Sequence, residues 1–179
     1  LAKKALALDV KIQYFDILRQ FDVEKELDLK YVFPEELLKK SDILSYHVPK
    51  TTFTHKIINQ TSLKMMRSNS LLINASRGDV QDENAIYQAL ISGEISAAGL
   101  DVFEVEPLPQ NSPLRDLKNV VLTPHSAPDR ECYVRAVNHA LENLLKVSKG
   151  EVPQSLAVNY EKETHKFLEL FPDVKFFTS

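Results

Sequence analysis

The sequence predicts an α/β fold, a doubly wound parallel sheet, and three observations predict it. Short β-rich runs alternate with helical segments along most of the 179 residues, the pattern of βαβ units. Apolar runs such as Leu71-Leu72-Ile73 suit strands buried inside a parallel sheet. Polar residues with chemical potential (Asp16, His47, Arg77, Asp101, His125) fall at or just after the predicted strand ends, where open parallel sheets place their ligands.

The elements follow in order. Residues 1–8 read as the middle of a helix, and 10–15 as a strand ending on Asp16. A short helix is predicted over 34–40, with Pro34 in its first turn and Glu35 and Glu36 beside the positive end of its dipole. A strand over 42–47 stops at Pro49, a helical turn follows over 61–66, and a strand over 70–74. The helix predicted over 82–92 carries Ala85, Ile86, Ala89 and Leu90 on one face and ends at Gly93. Strands over 97–102 and 119–123 precede the longest helix, 130–149. Its apolar Tyr133, Val137, Ala140, Leu144 and Val147 recur at helical spacing before Gly150. From about Glu151 the sheet pattern is lost, although Phe167, Leu168, Leu170 and Phe171 are apolar enough to dock on something.

Composition narrows the function classes. Hydrophobic residues make up 44% and charged residues 26%, as in ordinary globular domains. Lys and Arg number 22 against 25 Asp and Glu, a net charge of -3, which argues against a nucleic-acid footprint. No apolar run reaches the length of about 18 residues that a membrane helix needs. The single cysteine, Cys132, permits no disulfide framework and reads as a packing residue in a reducing, cytoplasmic setting. His55, His139 and His165 lack partners at metal-ligand spacing, so no metal is expected.

Four segments carry chemistry together: His47-Val48-Pro49; Asn74-Ala75-Ser76-Arg77-Gly78; Gly99 to Pro107; and Thr123-Pro124-His125. An Arg after a strand offers forked donors to a carboxylate, and a His titrates near neutral pH. A carboxylate near that His would orient the imidazole and favour its charged form, and Glu104 and Glu106 both compete for that role. The order of these segments, with 29 residues from Arg77 to Glu106 and 19 more to His125, resembles the D-isomer-specific 2-hydroxyacid dehydrogenases over residues 1–159.

That resemblance implies a Rossmann-like NAD-binding domain over 1–159, a tail over 160–179, and hydride transfer between a 2-keto acid and a D-2-hydroxy acid. Its substrates would be of the hydroxypyruvate, glyoxylate or phosphoglycerate type. It implies Arg77 as carboxylate anchor, His125 as acid/base and Glu106, the acid before Pro107, as the imidazole's partner; Glu104 is then solvent-facing. NAD would meet Asp16 at its adenine ribose, favouring NAD over NADP, with Arg19 nearby to soften the preference. Val48, Pro49 and Thr54 would line the adenine and ribose side, Ala75 and Ser76 would approach through their backbone, and Asp101 would meet the nicotinamide carboxamide. His47 is placed by its motif and is not catalytic. The family also implies a homodimer, with the segments 82–93 and 108–117 as its contact.

Two departures stand out. The Gly-x-Gly-x-x-Gly loop is absent: the four glycines are Gly78, Gly93, Gly99 and Gly150. The expectation is a fold incomplete at its N-terminus, lacking its first strand and phosphate loop, that alone binds NAD weakly and does not turn over. After His125, Ser126-Ala127-Pro128-Asp129 stands where the family carries small residues, with Pro stiffening the turn on the substrate side. A related NAD-sensing corepressor is the alternative reading. A formate dehydrogenase is disfavoured, because that relative lacks the acid where Glu106 stands.

Overall fold

The structure, a computed structural model, describes residues 1–126, 130–153 and 159–174. Its elements run α1 (Ala2–Leu6), β1 (Gln13–Tyr14), α2 (Phe21–Leu27), β2 (Lys30–Tyr31), α3 (Pro34–Lys40), β3 (Ile43–Tyr46), α4 (Gln60–Met65), β4 (Leu71–Asn74), α5 (Glu83–Ser92), β5 (Ala97–Leu100), β6 (Val120–Leu122), α6 (Arg130–Ser148) and α7 (Tyr160–Leu170). Single 3₁₀ turns lie at Gly78–Val80 and Pro113–Asp116. Strands β3-β4-β5-β6 form one parallel sheet in that order, and β1 pairs with β2, also parallel, in a second. The α/β class is therefore as predicted, with strands shorter than their apolar runs.

Local chemistry explains the boundaries. Asn59 starts α4 through a capping box: its side chain accepts from Thr61 N and Ser62 N, while Ser62 Oγ accepts from Asn59 N at 2.9 Å. Asp82 caps α5 by accepting from Ala85 N at 3.0 Å, and Gly93 ends it with φ at 75°, a left-handed conformation that glycine adopts without strain. Pro34 opens α3, and Lys40–Glu36 closes one turn of it as an i,i+4 pair. Helix α2 and strand β2 escape sequence reading because they are too short to show a period; Asp28, left-handed at φ 51°, ends α2.

The core lies on one face of the larger sheet. Leu44, Leu72, Ala98 and Leu100 point there and meet Leu38 of α3, Leu63 of α4 and Ile86 and Leu90 of α5. The opposite face is open, with Ile43 and Val121 56% and 67% exposed and Leu71 and Ile73 also exposed. The predicted two-sided burial of residues 70–74 thus holds for alternate residues only. The apolar stripe of α6 is likewise uncovered, with Tyr133, Val137 and Leu144 exposed, and Cys132 is exposed rather than packed. Leu108 and Leu114, inside a segment expected to join two copies, are buried in this chain's own core. No helix among the described residues is long and apolar enough to cross a membrane.

Candidate active site

His125 follows β6 and sits at φ 51°, unusual for a residue with a Cβ and worth about 1 kcal/mol of local strain. Two neighbours hold it there. His125 N donates to Thr123 O at 3.1 Å, and the Asp101 carboxylate, at the end of β5, accepts from both Thr123 Oγ1 and Ser126 N. Asp101 therefore brackets the histidine from both sides of the chain. Its expected meeting with a nicotinamide is a separate matter; what the structure places on it is the turn that aims the imidazole.

The imidazole Nδ1 lies 2.8 Å from Glu106 Oε2, and Glu106 Oε1 accepts from Phe103 N at 3.0 Å. The His125 bond first, then the Phe103 amide, hold the Glu106 carboxyl below the ordinary carboxylate range. Both side chains are partly open to solvent (43% and 36% exposed), so the pair contributes at most about 1 kcal/mol to stability. Its value is orientation: with Nδ1 engaged, Nε2 is the nitrogen presented outward. The competition between Glu104 and Glu106 is decided by this geometry. Glu104 accepts from Glu83 N at 2.8 Å and pairs with Lys56 at 3.4 Å, so it pins the start of α5 and is more than a solvent-facing acid.

Arg77 is exposed after β4, with Nη1 donating to Ser76 O at 2.6 Å. The loop beneath it is fastened by a buried amide pair that sequence reading did not single out. Asn74 Oδ1 accepts from Ser76 N and Ser76 Oγ, and Asn74 Nδ2 donates to Arg77 O at 3.2 Å and to Gln81 Oε1 at 2.8 Å. Gln81 Nε2 donates to Val102 O at 2.9 Å. A polar Gln beside Val80 was the signal available, and nothing local named its partners. Gly78 adds a second tie, because a Cβ there would lie 1.7 Å from Phe103 O. The Arg77 loop and the segment leading to Glu106 are thus held against each other at two points.

A second group of predicted residues gathers at β1 and β3. Asp16 is exposed just past β1 and accepts from Leu18 N at 2.9 Å. Arg19 turns away from it: its guanidinium makes two bonds to Glu24 and lies over the Phe21 and Tyr31 rings. Those contacts, Arg19 first and then the Tyr14 hydroxyl, lower the Glu24 carboxyl to about 2. Thr54 closes its own loop, donating to Pro49 O at 2.6 Å, and Val48 packs against the core. Ala75 is exposed and Ser76 buried. His47 Nε2 is 3.0 Å from Ser45 Oγ, and partial burial lowers its pKa. Residues 127–129 of the loop after His125 lie outside the described residues. Among the described residues no group of three or more His, Cys, Asp or Glu could hold a metal ion.

Residues 1–127 match the family described as D-isomer specific 2-hydroxyacid dehydrogenase, NAD binding domain. A glyoxylate reductase of Korarchaeum cryptofilum is 45% identical over 161 residues, covering 89% of this chain and 48% of that protein. A hydroxypyruvate reductase of Thermotoga maritima is 44% identical over 126 residues, covering 69% and 40%. An NAD-complexed D-isomer specific 2-hydroxyacid dehydrogenase of Lactobacillus delbrueckii ssp. bulgaricus superposes with a TM-score of 0.78 at 32% identity, covering 87% of this chain and 51% of that one. The chain spans about half the length of the curated relatives it matches.

Proposed function

Because the chain belongs to the D-isomer specific 2-hydroxyacid dehydrogenase family through its NAD binding domain, we propose that its site serves the reversible, NAD-linked reduction of a 2-keto acid to a D-2-hydroxy acid. The observation that carries this reading is the 2.8 Å pairing of His125 Nδ1 with Glu106 beyond the carboxyl ends of β5 and β6. In this reading residues 1–159 form the nucleotide-binding domain and 160–179 a tail.

Asp16 fits the cofactor's adenosine end, since an exposed carboxylate past β1 suits a ribose diol and disfavours an added phosphate. Asp101, Ala75 and Ser76 would stand along its nicotinamide end. NAD, when bound in its reduced form, supplies the hydride to the carbonyl carbon. The Arg77 guanidinium grips the substrate carboxylate with paired donors and sets the carbonyl toward His125. Protonated His125 gives its Nε2 proton to the carbonyl oxygen as that oxygen gains charge, and the Glu106 carboxylate stabilises the imidazolium beforehand. In the reverse direction His125 takes the hydroxyl proton back.

Glyoxylate and hydroxypyruvate are the substrates this reading favours, on the names of two relatives. Pairing of two copies belongs to the same reading and is supported by the uncovered apolar residues of α6 and by Ile91 on α5. A reducing, cytoplasmic setting accords with the single cysteine. Chiral analysis of the product formed by the natural polypeptide that carries these residues tests the reaction: hydroxypyruvate and NADH should give the D-acid, and an L-acid or no product from any 2-keto acid overturns the reading.

A further inference from the structure

Helix α7 packs on segments that follow three of the strands. Its N-terminal Glu161 carboxylate accepts from Thr52 N and Thr52 Oγ1, both at 2.7 Å, in the loop after β3. His165, one turn on, stands edge-on to Phe53 with ring centroids 5.0 Å apart. Phe167 meets Phe15, the residue before Asp16, at 5.6 Å, and Phe171 meets Phe33, just past β2, at 5.7 Å. Phe167 is only 7% exposed and Thr164 is buried beside it. The helix has 11 residues, about 16 Å of length; over that length it touches the segments that follow β3 and β1, and its C-cap Phe171 touches the one that follows β2.

Parallel sheets bind dinucleotides beyond these carboxyl ends, where neighbouring strands leave a crevice. Strands β1 and β3 belong to separate sheets, and α7 bridges the two banks between them. On one bank is Asp16; on the other is the 48–54 loop, where Thr52 already spends its amide and hydroxyl on a carboxylate.

We propose that α7 is a built-in competitor for the adenosine half of NAD: docked, it covers the crevice, and the cofactor enters only as the helix leaves. The inference rests on the NAD reading above. A helix docked in about nine molecules of ten weakens apparent affinity about tenfold.

The test is titration of the natural polypeptide that carries these residues with NADH, followed by the fluorescence of the bound cofactor, with circular dichroism to verify the fold of each variant. Glu161→Ala, which removes both bonds to Thr52, and Phe167→Ala, which removes the ring on Phe15, should each bind NADH about tenfold more tightly. Leu170→Ala, at a side chain 76% exposed, should bind as the unsubstituted chain does. Saturating NADH should also speed hydrogen exchange of the α7 amides. Equal affinity in all four proteins overturns the competitor and leaves the NAD reading standing. Weaker binding in Glu161→Ala or Phe167→Ala makes α7 part of the pocket and equally overturns it. If none of the four binds at millimolar NADH, both the NAD reading and the competitor fall.

Discussion

Gly78→Ala is the most exacting perturbation of the site's frame. A Cβ at this position would stand 1.7 Å from Phe103 O, 2.2 Å from Phe103 C and 2.9 Å from Glu104 N. All three are backbone atoms, so no side chain can swing aside, and Gly78 itself is buried. Ordinary contact needs about 3.4 Å or more, so the Arg77 loop and the 103–106 segment must part by more than 1 Å, roughly. Overpacking of this kind costs about 3 kcal/mol. For a chain of this size that lowers Tm by about 6–12 °C. Urea denaturation with Cm and m measured together is the assay, since an unchanged m with a lower Cm isolates stability from a change of unfolded state. A variant within about 0.5 kcal/mol of the parent would show that the two loops are free to separate, and the picture of a locked frame would fail.

Gln81→Leu removes the bridge between Asn74 and Val102 and leaves a buried carbonyl without its donor. It should cost about 1–3 kcal/mol in the same assay, and a neutral effect would mean that the amide pair fastens nothing. Glu106→Gln should keep the fold and change the pH profile of the reduction rate, because the imidazole loses its anionic partner. Since Glu106 has a lowered folded pKa, its small stabilisation is present above the ordinary carboxylate range and fades as pH falls through the lowered value. An unchanged rate profile would remove Glu106 from the acid/base pair.

Legibility followed local chemistry. Helices α3 and α5 were readable because Pro34, Asp82 and Gly93 act on their own backbone neighbours. Strand β2 was not, because its two residues are held from a distance, by Tyr31 packing on Tyr14 and Phe15. The apolar stripe of α6 was visible, yet amphipathic spacing says only that a face is apolar, not that anything covers it. The same limit applied to the tail: Phe167 and Phe171 announced a docking face, while their partners Phe15 and Phe33 lie far upstream. At the site, the rank order of Glu104 and Glu106 depended on which one a turn of chain delivers to His125, and Asp101 read as a ligand residue because its hold on Thr123 and Ser126 spans strands. The clash at Gly78 is a tertiary approach, invisible in a sequence where Gly simply follows Arg.

The most direct measurement is NADH consumption by the natural polypeptide that carries these residues, with glyoxylate and hydroxypyruvate offered in turn, beside its Arg77→Ala and His125→Ala variants. The parent should oxidise NADH, and His125→Ala should lose about 10²–10⁴-fold in rate with NADH affinity retained. Arg77→Ala should lose chiefly in kcat/KM for the keto acid, since its guanidinium is assigned to the substrate carboxylate. Turnover undiminished in His125→Ala, or a parent that binds NADH and reduces no 2-keto acid, would contradict the assignment of His125, Glu106 and Arg77 as the reacting set.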